Sequence, residues 1–121
     1  MRENTRQIGD CGESLAEDFL KKKKYKILER NFYTFFGEID IIAKEKKQLV
    51  FVEVKMNQTR GFGLPEDKFN FYKKQKLFRA IKSYFLENNF KGDNWRVDLV
   101  AIEKDENKKL IIRHYQGLPC G

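Results

Sequence analysis

Charged side chains inside otherwise apolar strand-like runs restrict this chain more than any other feature. Leu49-Val-Phe-Val-Glu-Val-Lys55 is apolar almost throughout, as a central strand covered on both faces must be, yet it carries Glu53 and Lys55. Upstream, Asp40 interrupts Ile39-Asp-Ile-Ile42. An unpaired charge in a core is heavily penalised, so these positions need partners. Residues two apart on a strand share a face, which puts Glu53 beside Lys55 and Glu38 beside Asp40. The polar turn Glu45 to Gln48 joins the two runs as a hairpin, and the hairpin brings all four groups to one face.

Two carboxylates a few Å apart repel by ~1 to 4 kcal/mol, depending on the effective dielectric. A hard divalent cation removes that cost, and Mg²⁺ favours one or two carboxylates together with water and phosphate oxygens. Such an ion stabilises charge on a phosphate and lowers the pKa of water. Lys55 can orient or deprotonate the attacking water, or stabilise the transition state. The competing reading is an ion pair of Glu53 and Lys55 that reaches solvent at the strand end.

Around this core the chain reads as one α/β domain over residues 1–121, in the order helix, three strands, helix, two strands. Ile8, Gly12, Leu15, Ala16 and Phe19 recur at helical spacing over about Thr5 to Lys23. Glu13 lies beside that stripe among small neighbours; its carboxylate either reaches over the sheet to the same ion or faces solvent. Strands are expected at Tyr25 to Tyr33, Glu38 to Ala43 and Leu49 to Lys55. A glycine-rich loop, Arg60-Gly-Phe-Gly-Leu-Pro65, leads to a helix from about Phe71 to Asn88. Strands at Trp95 to Glu103 and Leu110 to Tyr115 complete the expected elements.

A formal net charge of +7 favours polyanionic partners. Lys21, Lys22 and Lys23, with Arg60, Lys73, Lys74 and Lys76, are the candidate phosphate contacts. Phe36, Phe62 and Tyr72 lie near these basic segments, either stacking on bases or packing in the core. No run approaches the ~18 apolar residues of a membrane span. Without a signal-peptide core, and with Cys11 and Cys120 isolated, the expected compartment is reducing cytoplasm. Ser14 and Ser83 have no nearby base and His114 has no evident carboxylate to orient it, which disfavours a serine or histidine nucleophile scheme.

Gly37-Glu-Ile-Asp40 followed by Val50-Phe-Val-Glu-Val-Lys55 resembles the GEID…FVEVK core of the small bacterial YraN-like proteins, restriction-endonuclease-like relatives of archaeal Holliday junction resolvases. The likeness also covers Gly9 to Leu20, Tyr25 to Asn31, Phe62 to Pro65, Lys73 to Lys76 and Trp95 to Ile102. It implies a restriction-endonuclease-like sandwich with a central mixed five-stranded sheet flanked by helices. It further implies a site of Asp40, Glu53 and Lys55, with Glu13 as the helix carboxylate and Gln75 as a helix glutamine near the site. Asp40, Glu53 and Glu13 are the implied ligands of Mg²⁺ or Mn²⁺. The chain departs from the family pattern at Met56-Asn-Gln58, where a small or basic pair is usual; Arg60 is the candidate substitute. Trp95 before the Arg-Val-Asp98 strand leaves Asp98 a structural or outer role.

The expected function is a metal-dependent endonuclease that hydrolyses DNA phosphodiester bonds, selective for branched or flapped DNA. By analogy with resolvases it works as a homodimer, since a four-way junction needs two paired cuts. A non-catalytic nucleic-acid-binding module and an interaction subunit are the alternatives.

Overall fold

The computed structural model describes residues 5–57 and 63–119. Its elements are α1 (Thr5–Lys22), β1 (Lys26–Thr34), β2 (Gly37–Glu45), β3 (Gln48–Asn57), a 3₁₀ turn (Pro65–Lys68), α2 (Phe71–Glu87), β4 (Trp95–Lys104) and β5 (Leu110–Tyr115). The expected helices and strands are all present, in the expected order. Arg60 and Phe62 lie outside the described residues.

The five strands form one sheet in the order β1-β2-β3-β4-β5. The β3–β4 pair is parallel and the other three are antiparallel, so the sheet is mixed. Parallel pairing needs a crossover, and α2 supplies it. Val50, Phe51 and Val52 are fully buried, which explains why β3 reads as a continuous apolar run.

Alternation along the strands divides the core into two layers. Ala16 and Leu20 of α1 pack on Ile41, Val50, Val52, Val100 and Ile102 on one face. On the other, Leu77, Ala80, Ile81 and Tyr84 of α2 pack on Leu49, Phe51, Val97 and Leu99. Gly12 lets α1 approach β3 closely: a Cβ there would lie 3.2 Å from the Met56 Cβ and 3.7 Å from Val54 Cγ1. On α2, Asn70 is the N-cap, its side chain accepting from the Lys73 N–H at 3.0 Å.

The 3₁₀ turn was not evident in the sequence. Pro65 starts it, and Glu66 ties it to the last strand: Arg113 donates to both Glu66 oxygens and the Tyr115 hydroxyl donates at 2.6 Å. Arg113 also bonds Glu103.

Candidate active site

β2 and β3 pair from Glu45–Gln48 to Ile41–Val52. Just beyond, Asp40 replaces ladder bonding with a side-chain bond, its Oδ2 accepting the Val54 N–H at 2.8 Å. A pocket of about 410 Å³ opens here. Glu13, Glu38, Asp40, Glu53, Lys55, Lys73 and Lys76 line it, with Phe36, Gly37, Val54 and Leu77. The hairpin face expected from the sequence is therefore present, and all four of its charged groups reach one cavity. Glu13 enters from α1, on the opposite face of the sheet from α2.

Asp40 and Glu13 are 7% and 6% exposed, so each carboxylate is held in a poorly solvated position. Burial, and next the charge of Glu53, hold the Asp40 carboxyl well above the usual carboxylate range, against the lowering effects of the Val54 N–H and Lys55. Burial likewise raises Glu53, opposed chiefly by Lys55. Lys55 Nζ stands 3.2 Å from Glu53 Oε1. The ion pair of the competing reading thus exists, but within the pocket that also holds Asp40.

Ligand atoms of Glu13, Glu38 and Asp40 all lie within 4.8 Å of one another. Two carboxyls driven upward chiefly by burial, with further carboxylates beside them, are the donor chemistry that a hard divalent cation relieves. The acidic set is compatible with such an ion. Glu38 shares the face expected for it, although the ligand set drawn from the sequence resemblance left it out.

Asn31 was not anticipated. It adopts φ 54° within β1, and with its amide nitrogen turned towards Glu13 it donates to the two carboxylate oxygens at 2.5 and 3.3 Å. That contact orients the helix carboxylate.

The remaining candidates divide. Lys73 and Lys76 line the pocket, whereas Gln75, half-buried on the same helix, is outside the lining. Lys74 sits over the Phe69 ring, 5.8 Å from its centroid. Lys21 and Lys22 are exposed at the end of α1, ~12 Å or more along the helix from Glu13 at 1.5 Å per residue. Lys21 reaches Glu17 at 3.4 Å; Lys23 reaches His114 Nδ1 at 2.8 Å.

One sequence reading is corrected. His114 does have a carboxylate partner: its Nε2 lies 2.7 Å from Asp98 Oδ2. Lysine offers only donors, so Nδ1 accepts from Lys23 and Nε2–H donates to Asp98. Asp98 is fully buried and also receives Arg96, Tyr25 and the Gly117 N–H. Burial pushes its carboxyl up, but the His114, Arg96 and Gly117 bonds outweigh burial and leave it low. The network faces the α1 layer, and no serine or cysteine bonds to His114 among the described residues. It braces the fold.

Fold and pocket together define an α/β domain whose central hairpin opens into a carboxylate–lysine site suited to a divalent cation. The chain belongs to the uncharacterised protein family UPF0102, the YraN family, whose model matches residues 12–102. A UPF0102 protein of Carboxydothermus hydrogenoformans is 43% identical over 115 residues, covering 95% of this chain and 97% of the relative. One from Caldanaerobacter subterraneus is 42% identical over 105 residues, covering 87% and 86%. Another, from Caldicellulosiruptor bescii, is 48% identical over 101 residues, covering 82% and 84%. Among solved structures, Pyrococcus furiosus SfsA in complex with Ca²⁺ aligns with TM-score 0.39 and 14% identity, over 96% of this chain and 65% of that chain. Among the described residues no helix is long and apolar enough to cross a membrane.

Proposed function

We propose that this protein is a metal-dependent endonuclease that hydrolyses DNA phosphodiester bonds and selects branched or flapped DNA. The observation that carries the proposal is the pairing of buried Asp40 with half-buried Glu53, each raised in pKa, with Lys55 3.2 Å from Glu53 in one pocket. Buried Asp98 is held low by His114, Arg96 and the Gly117 N–H, whereas Asp40 and Glu53 stay raised, and that uncompensated cost is what a bound cation would relieve.

Asp40 and Glu13, with Glu38 in the same cluster and Glu53 lining the same pocket, would hold Mg²⁺ or Mn²⁺. When bound, the ion supplies Lewis-acid stabilisation of the phosphate and a lowered pKa for water. The protein's own groups do the rest. Asp40 is locked by its bond from Val54, and Asn31 fixes the Glu13 carboxylate. Lys55, steered by Glu53, presents Nζ to a phosphate oxygen or to the attacking water and offsets the charge that grows as the P–O bond breaks. Lys73 and Lys76 on the rim attract the flanking phosphates.

The test is to incubate wild type and a Glu53→Ala/Lys55→Ala variant with labelled four-way junction, flap, single-stranded and duplex DNA. Each incubation is run at low salt with Mg²⁺, Mn²⁺ or EDTA. Metal-dependent cleavage by wild type alone, strongest on a branched substrate, is the expected result. Binding without cleavage by both proteins overturns the enzyme reading in favour of a non-catalytic binding module.

A further inference from the structure

The tip of the β1–β2 hairpin is anomalous. Thr34 pairs with Gly37, so the connection between the strands is only Phe35 and Phe36. Two-residue hairpin turns favour glycine, asparagine and aspartate, which accept the turn geometry and tolerate water. Phe35 gains almost no burial there from the fold. Phe35 is 95% exposed and Phe36 41% exposed, with ring centroids 5.3 Å apart in an edge-on arrangement.

The tip is also braced. Thr34 Oγ1 accepts the Phe36 N–H at 3.1 Å and donates to the Gly37 carbonyl at 2.6 Å. The left-handed conformation the turn requires falls on Gly37, at φ 134°, which has no side chain to strain. Phe35 is therefore presented outward on a braced turn, with Phe36 beside it at the pocket.

Phe36 lines the acidic pocket together with Lys73 and Lys76 of α2. Just ahead of Lys73, Phe71 and Tyr72 form a second exposed aromatic pair, 63% and 78% exposed, with centroids 6.1 Å apart. Phe36 and two lysines thus line the pocket itself, and the exposed rings of Phe35, Phe71 and Tyr72 adjoin those lining residues in the chain. A hydrophobic protein groove or a lipid surface calls for a continuous apolar patch. Interleaved rings and cations instead fit a strand whose bases stack while its phosphates pair.

We infer that the Phe35–Phe36 tip is a stacking platform for unpaired bases next to the phosphate in the pocket. This rests on the nucleic-acid reading of that pocket and deepens it: the platform, and not the acidic site, is what prefers a frayed, flapped or branched strand to continuous duplex. Bases inside a duplex have no free face to offer the rings, so a duplex gains only the lysine contacts.

The experiment measures binding in EDTA, so that loss of cleavage chemistry and loss of stacking are read separately. Full-length wild type, Phe35→Ala, Phe35→Trp and Lys73→Ala/Lys76→Ala are titrated with single-stranded, flap and blunt duplex DNA over a salt series. Phe35→Ala is expected to weaken single-strand and flap binding ~10-fold, to leave duplex binding unchanged, and to leave the salt slope untouched. Phe35→Trp restores the affinity. The lysine variant lowers the salt slope on every substrate. A 2-aminopurine placed at the unpaired position is quenched on binding wild type or Phe35→Trp but not on binding Phe35→Ala.

Equal loss on duplex and single strand, or no loss on either, overturns the inference. So does a self-association in the absence of DNA that Phe35→Ala abolishes, which would make the tip a contact between copies of this chain. Phe35 is exposed enough that its truncation leaves the fold intact, and an unchanged melting temperature confirms this in the same samples.

Discussion

Asp40 Oδ2 accepts the Val54 N–H at 2.8 Å, immediately past the last β2–β3 backbone pair. One carboxylate oxygen is thereby committed to the backbone, in a residue that lines the pocket. The bond opposes the forces that raise the Asp40 carboxyl, without overcoming them. The site is therefore rigid and electrostatically costly at once, and both properties can be measured.

Asp40→Asn removes the carboxyl that burial raises most, while its amide oxygen can still accept from Val54. A carboxyl raised in the folded state contributes stability below its unfolded pKa of about 3.9 and loses it as pH rises through the raised folded value. The variant should therefore melt several degrees above wild type at pH 7, and the two should converge at low pH. Adding Mn²⁺ should raise the melting temperature of wild type more than that of the variant. Calorimetry over pH, with and without Mn²⁺, checks both outcomes.

Glu38 shares the carboxylate cluster with Glu13 and Asp40 but is exposed. Glu38→Gln should weaken Mn²⁺ binding ~10-fold, as loss of a supporting metal contact typically does, and leave stability in EDTA unchanged. Isothermal titration gives the affinity. An unaltered affinity would remove Glu38 from the site.

Glu66 is pulled down to about 2, first by its hydrogen bond from Arg113 and then, against burial, by the Tyr115 hydroxyl. A depressed carboxylate contributes stability above its unfolded pKa, near 4.3, and loses it as pH falls towards the folded value. Wild type should therefore lose stability progressively from about pH 5 to pH 2. Glu66→Gln should be less stable at neutral pH and show a shallower acid limb. Urea unfolding at several pH values separates the two.

The legible part of this molecule was local. Apolar periodicity marked every helix and strand, and the charges of Asp40, Glu53 and Lys55 stood out because they broke it. What escaped depends on contacts between distant elements. The 3₁₀ turn is held by Arg113, which no spacing near Pro65 reveals. His114 meets Asp98 only because β5 pairs with β4 in a register that sets His114 opposite Val100. Asn31 reaches Glu13 through an irregular backbone conformation inside a strand, which composition does not announce. Gln75 was assigned from resemblance alone, and its neighbours Lys73, Lys76 and Leu77 line the pocket instead.

His114→Ala should destabilise the fold by ~2–3 kcal/mol, since it strips a donor from a fully buried carboxylate. Cleavage per folded molecule should not change. A fall in activity larger than the loss of folded protein would give His114 a part in the chemistry.

Gly12→Val places branched atoms where even a Cβ would come within 3.2 Å of Met56. Overpacking of this kind costs ~1–3 kcal/mol. Because Gly12 precedes Glu13, the displacement should also slow cleavage more than it lowers the melting temperature would suggest. Kinetics at a temperature where both proteins are fully folded tests this.

The parallel pairing of β3 with β4 bears on the order of assembly. Asp40, Glu53 and Lys55 belong to a hairpin of neighbouring strands, whose contacts close over short loops and form early. The β3–β4 contacts, such as Val50 with Arg96, must wait for the α2 crossover to be made. Until then nothing from α2 covers the carboxyls, and water screens them from each other. Docking of α2, which brings Leu77 to the pocket, therefore completes the burial that raises both carboxyls. A divalent cation present at that moment would speed the final docking step while leaving hairpin formation unchanged.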